Sequence, residues 1–78
     1  MEAFDFFKTL IIGYNNEVNL TEIGPETKLT EDLGLDSLDL VEIGMEIERE
    51  FGIIIPDSEV EQWETVGDVI KSSERTNG

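Results

Sequence analysis

The sequence predicts an all-α domain: a small bundle of three main helices plus a short fourth helix, with a long loop between helices 1 and 2. Three observations carry that expectation. Apolar residues recur at helical spacing in an N-terminal stretch and again in a central one. The segment between them loses that period and gains turn residues. The one run with strand character, Gly52-Ile53-Ile54-Ile55-Pro56, has no second strand to pair with, so it reads as an extended buried connection.

The first helix spans about Met1 to Tyr14. Phe4, Phe7, Leu10, Ile11 and Tyr14 form its core stripe, while Phe6 and Ile12 lie off the centre of that stripe. From Asn15 to Asp36 the pattern breaks at Asn15-Asn16 and Gly24-Pro25. Val18, Leu20, Ile23, Leu29 and Leu33 are scattered through this loop and are expected to pin it to the core. Loops of this length are uncommon in compact domains and tend to be functional. A short turn of helix is expected near Thr30 to Leu33.

The second helix is expected from Ser37 to Phe51, with Asp36 as its N-cap and Gly52 as its stop. Asp39 follows the cap by three residues, a position that favours an acid. At 100° per residue, Leu40, Ile43, Ile47 and Phe51 share the core face. Asp39, Glu42, Glu46, Arg49 and Glu50 share the charged face. Leu38, Val41 and Met45 form a strip between the two, and part of it is expected to stay exposed. Asp57 or Ser58 is expected to cap a short turn over Glu59 to Gln62. Thr65-Val66-Gly67-Asp68 has the form of a capping box opening the last helix. That helix buries Val66, Val69 and Ile70 and ends near Ser72. The domain is thus assigned to residues 1–72, and 73–78 to a polar C-terminal tail.

Composition narrows the function. A chain of 78 residues is one domain. At this size folding buries about 60% of the surface the unfolded chain exposes, so there is one modest core and no deep catalytic cavity. Nineteen acidic residues against five basic ones give a net charge of −14. Nucleic acid and anionic membrane surfaces repel such a chain, and proteins with basic patches, or cations, attract it. Self-repulsion predicts that divalent cations raise the melting temperature, which a magnesium titration reads directly. There is no cysteine and no histidine. Disulfides, thiolate chemistry and the usual neutral-pH proton shuttle are therefore absent. No apolar stretch reaches the ~20 residues of a membrane span. The N-terminus lacks the pattern of a signal peptide, so a cytoplasmic location is expected and the Asn19-Leu20-Thr21 acceptor sequence is read as chance.

The stretch Asp32-Leu33-Gly34-Leu35-Asp36-Ser37-Leu38-Asp39-Leu40-Val41-Glu42 carries the chemistry. Ser37 falls in the first turn of a helix after a long loop, so its hydroxyl is expected to be exposed. The free backbone donors and partial positive charge of that turn suit a phosphodiester. Asp36 and Asp39 oppose it with their own charge, a conflict that a cation would relieve. No base is evident to turn Ser37 into a nucleophile, so modification by another enzyme is the better reading.

This motif resembles the attachment site of acyl carrier proteins, whose core is Asp-Ser-Leu at the start of the second helix. The similarity continues through Met45, Glu48, Phe51 and Ile55-Pro56-Asp57 and covers about residues 3 to 71. The resemblance implies a non-enzymatic carrier with a covalent 4'-phosphopantetheine arm on Ser37, whose thiol makes good the lack of cysteine. It implies that Asp36 helps hold magnesium while a phosphopantetheinyl transferase attaches the arm; the chain itself is expected to have no metal site. It implies docking on basic patches of fatty acid or polyketide synthase enzymes, through Asp36, Asp39, Glu42 and Glu48 with Leu38, Val41 and Met45 as apolar contacts. It also implies an acyl pocket between helices, for which Ile43, Ile47, Ile55, Val60, Trp63 and Val69 are the candidates here, all of them equally readable as ordinary core. A monomer without stable membrane insertion is expected.

Three positions depart from the family. Arg49 stands where an acid is usual and is expected to pair with Glu46 or Glu42. Gly44 lies inside the helix, which costs about 1 kcal/mol relative to alanine. It makes room for a neighbouring segment or for a larger pocket, and the sequence does not choose. Trp63 is bulkier than the usual aliphatic residue and narrows the pocket, which points to a specialised substrate. A carrier of fatty acid synthesis is the leading reading, since Gly34-Leu35-Asp36 differs from the peptidyl carriers. A polyketide, aminoacyl or other thiotemplate carrier is the alternative. A calcium-binding adaptor is disfavoured, because Asp32, Asp36 and Asp39 lack the alternating spacing of a calcium loop.

Overall fold

The computed structural model describes residues 2–74. Its elements are α1 (Ala3–Tyr14), a single 3-10 turn (Leu20–Glu22), α2 (Ser37–Phe51), α3 (Asp57–Val60) and α4 (Val66–Ser73). No strand occurs among the described residues; Lys28 and Thr65 form an isolated antiparallel bridge. The expected three long helices and one short one are all present.

Each main helix has a local cause. α2 opens on a reciprocal capping box: Asp36 accepts from the Asp39 N–H at 2.8 Å, and Asp39 accepts from the Asp36 N–H at 3.2 Å. It stops at Gly52, whose φ of 64° is the left-handed conformation that glycine adopts without a Cβ clash. α4 repeats the device with Thr65 and Asp68. α1 has no side-chain cap; packing of its apolar face holds it instead.

The core collects Phe7 and Ile11 from α1, Leu40, Ile43 and Ile47 from α2, Val60 and Trp63 from around α3, and Val66 and Val69 from α4. α1 packs on α4, and α2 packs on both α3 and α4. The other residues of the α1 stripe, Phe4, Leu10 and Tyr14, pack against this core while half-buried. Phe51 and Ile70, expected to be fully buried, are also half-buried. Phe51 instead meets Phe6 edge-on, with ring centroids 5.5 Å apart, at the margin of the core.

The long loop is pinned as expected, by Ile23, Leu29 and Leu33, and also by Leu35. Polar contacts complete the attachment. Asn15 Nδ2 donates to the Leu33 carbonyl at 3.0 Å. The Leu29 N–H donates to Glu64, and the Val66 N–H to Thr27, at 3.0 and 2.9 Å. The loop's helical turn lies at 20–22, not at 30–33, because the Asn19 side chain caps it by accepting from Thr21 N–H at 3.1 Å. Residues 28–34 form hydrogen-bonded turns that do not extend into helix.

Two further boundaries differ from expectation. α3 begins at Asp57 with Pro56 as N-cap, and neither Asp57 nor Ser58 caps it; the Pro56 carbonyl closes the first turn by accepting from the Glu59 and Val60 N–H groups at 2.9 and 3.2 Å. α4 includes Ser73, which is buried and donates its hydroxyl to the Val69 carbonyl at 2.7 Å. Of the expected polar tail, 75–78 lie outside the described residues. After the left-handed turn at Gly52, residues 53–56 form neither helix nor strand, with Ile53 and Ile55 buried and Ile54 turned outward, 73% exposed.

Candidate functional site

Ser37 is the first residue of α2 and is exposed. The loop ending at Leu35, which is buried, delivers it there, and the Asp36–Asp39 box fixes the helix start around it. Within this turn the Asp39 N–H is taken by the Asp36 carboxylate and the Leu40 N–H by the Asp36 carbonyl, at 2.8 and 3.1 Å. The N–H groups of Ser37 and Leu38 stay available to an anion beside the Ser37 hydroxyl. A groove of about 330 Å³ begins at Ser37 and is lined by Leu38, Leu40, Val41, Val60 and Glu61. An accessible hydroxyl, two free backbone donors and an adjoining apolar groove fit a flexible arm joined through a phosphodiester.

The surface beside Ser37 has the character the helical periodicity predicts. Leu38 is 69% exposed, Met45 51% and Val41 37%. Glu42 is exposed and Asp39 half-exposed on the same helix. The acids set the local potential: burial, then the charges of Glu42, Asp39 and Glu46, hold the Tyr14 hydroxyl above its usual pKa.

Glu48 sits differently from the other acids of the expected docking face. It is half-buried, and its carboxylate accepts the Ile55 N–H at 2.8 Å. Its carbonyl also receives the N–H groups of Gly52 and Ile53, at 2.9 and 3.3 Å. Glu48 thus straps the 52–56 connection onto α2. Arg49 pairs with Glu46 at 3.2 Å, on an exposed face where such a pair contributes little stability.

The six candidate pocket residues, Ile43, Ile47, Ile55, Val60, Trp63 and Val69, are all buried in one cluster. Trp63 is tied to α4: its Nε1–H donates to Ser72 Oγ at 2.9 Å, and Ser72 Oγ donates to Glu59. Sequence reading did not foresee the Ser72 and Glu59 contacts. A polar residue on the inward side of α4 was the available signal. No cluster of acids able to hold a metal ion occurs among the described residues. None of their helices is long and apolar enough to cross a membrane.

Comparison with known proteins adds to this geometry. The family model described as "Phosphopantetheine attachment site" matches residues 11–72. A curated relative, the acyl carrier protein of Wolinella succinogenes, is 48% identical over 71 residues, covering 91% of this chain and 92% of its own. The family match includes Ser37 and its helix opening and runs from the last turn of α1 almost to the end of α4. On that extent and identity, the chain belongs to the acyl carrier proteins.

Proposed function

We propose that this phosphopantetheine-bearing acyl carrier, not itself an enzyme, holds its arm on Ser37 and delivers acyl intermediates to enzymes of fatty acid synthesis. The observation that carries the assignment is the exposed Ser37 hydroxyl at the capped opening of α2, inside the matched attachment region. When attached, the arm supplies the thiol this cysteine-free chain lacks, so that acyl groups travel as thioesters.

The chain's own residues present the attachment point. Asp36 keeps the helix start in place through its cap, and its exposed carboxylate is suited to a magnesium ion during attachment. The Ser37 and Leu38 N–H groups are placed to receive an anion at the helix start. Leu38, Val41 and Met45 offer an apolar contact strip, and Asp36, Asp39 and Glu42 surround it with negative charge for basic patches on partner enzymes. Glu48 contributes its charge to that face while serving the fold. Charge of this kind governs the rate of encounter and its salt dependence more than final affinity. A net charge of −14 supports transient partners with basic patches.

The test is reconstitution. The arm-bearing chain, given malonyl- and acetyl-coenzyme A and reduced nicotinamide cofactors with purified malonyl-transferring, condensing, ketoreducing, dehydrating and enoyl-reducing enzymes of fatty acid synthesis, is expected to accumulate saturated acyl groups, read as intact-mass increments. Ser37→Ala should accumulate none. Loading without elongation would keep the carrier and move it to another thiotemplate pathway.

A further inference from the structure

Asn15 is the C-cap of α1, where its own N–H donates to the Ile11 carbonyl at 2.8 Å. Its half-buried side chain uses both ends of the amide. Oδ1 accepts from the Glu17 N–H at 3.1 Å, and Nδ2 donates to the Leu33 carbonyl at 3.0 Å. The second bond spans 18 residues and reaches the turn that runs into α2. A carboxylate or an alkyl group could not serve both partners, because the Leu33 carbonyl needs a donor and the Glu17 N–H an acceptor.

That turn is closed from within. The Lys28 N–H donates to Asp32 Oδ2 at 2.8 Å, the Gly34 N–H to the Thr30 carbonyl at 3.1 Å and the Leu35 N–H to the Leu29 carbonyl at 3.0 Å. Gly34 carries a φ of 69°, which lets Leu33 and Leu35 on either side of it both be buried. The Leu29 N–H ties one side of the turn to the Glu64 carbonyl, ahead of α4. Asn15 ties the other side to α1. Leu35 is followed at once by the Asp36 cap and Ser37, so a shift of the turn passes directly to the helix opening.

We infer that Asn15 is a positioning residue for arm attachment: by holding the Leu33 carbonyl to the end of α1, it fixes the turn from which the Ser37 hydroxyl is presented to a phosphopantetheinyl transferase. It acts through the turn and not on the hydroxyl itself. The inference rests on the proposed attachment at Ser37.

Attachment kinetics on the apo chain, with the transferase, coenzyme A and magnesium, test it. Asn15→Ala and Asn15→Asp, at a temperature where both are folded, are expected to lower kcat/KM about tenfold. Phe7→Leu, which loosens the α1 core but keeps the Asn15 bond, should melt lower and keep the wild-type rate. At Gly34 nothing lies within 4 Å of where a β-carbon would stand, so substitutions there test the backbone alone. Gly34→Asn, which tolerates the left-handed conformation, should attach its arm faster than Gly34→Val, which does not. Amide hydrogen exchange supplies a readout that needs no transferase. The Gly34 and Leu35 N–H groups should exchange faster in the Asn15 variants, while those in the middle of α2 do not. A folded Asn15→Ala with the wild-type kcat/KM, a loss matched by Phe7→Leu, or unchanged exchange at Gly34 and Leu35 would overturn the inference. If Asn15→Ala does not fold, Asn15→Asp and the two Gly34 variants decide. A wild-type chain that accepts no arm overturns the attachment reading itself, and the exchange measurement tells that failure apart from a failure of Asn15.

Discussion

Trp63 Cη2 lies 3.6 Å from the position a β-carbon would take on Gly44, an ordinary van der Waals distance, so a methyl group fits between the two residues but nothing larger is provided for. A helix-interior glycine costs about 1 kcal/mol relative to alanine, and Gly44→Ala, whose methyl group meets Trp63 and Val60 without overlap, should recover much of it. Gly44→Val is expected to overpack this contact and destabilise by about 1–3 kcal/mol. In a Trp63→Leu background the same change should cost much less. Urea unfolding of the two single variants and the double variant measures the coupling. Simple additivity would separate the two residues.

The cap at Asp36 serves both stability and chemistry, and the two can be divided. Asp36→Ala removes the acceptor for the Asp39 N–H and should cost about 1 kcal/mol. Asp36→Asn keeps an acceptor and should stay within a few tenths of a kcal/mol of wild type. Both variants should be modified more slowly by a transferase in magnesium. Thermal melts and initial rates of arm attachment check the two effects separately.

Two acids on α2 should respond in opposite ways. Glu48→Ala leaves the Ile55 N–H without its carboxylate acceptor and is expected to lose about 1–2 kcal/mol. Glu48→Gln, with an acceptor still in place, should keep most of that stability. Glu42 is exposed. Glu42→Lys should leave stability within about 0.5 kcal/mol and slow association with a partner synthase at low salt. Chemical denaturation and stopped-flow association distinguish a strap from a docking charge.

Asp68 gives a pH signature. The Glu64 N–H, with the Thr65 backbone and side chain, holds its carboxyl below the ordinary value of 3.8 despite partial desolvation. Below that value the unfolded chain binds the proton more readily than the folded one. The contribution is therefore complete above pH 3.8 and is lost as pH falls through the lower folded value. Asp68→Asn should remove this part of the acid sensitivity. The difference between the two melting-temperature curves should narrow as the pH drops below that range.

The legible parts of this fold were the local ones. Asp36–Asp39 and Thr65–Asp68 each pair across three residues, and Gly52 stops α2 by its own backbone freedom, so both caps and the whole span of α2 could be read from sequence. The exposed strip of Leu38, Val41 and Met45 followed from helical angle alone. What could not be read depends on how the chain folds back after Gly52. That reversal brings Ile55 to Glu48 and Trp63 to Gly44. It also turned Glu48 from a purely surface acid into a strap. α3 starts two residues earlier than the expected turn over Glu59 to Gln62, because the Pro56 carbonyl, not an Asp57 or Ser58 side chain, closes its first turn.

The most direct measurement is the intact mass of the apo chain after treatment with a phosphopantetheinyl transferase, coenzyme A and magnesium. One added arm on the wild-type chain, and none on a folded Ser37→Ala variant, is the expected result. A wild-type chain that stays unmodified, or an alanine variant modified to the same extent, would contradict the assignment of Ser37 as the carrier's point of attachment.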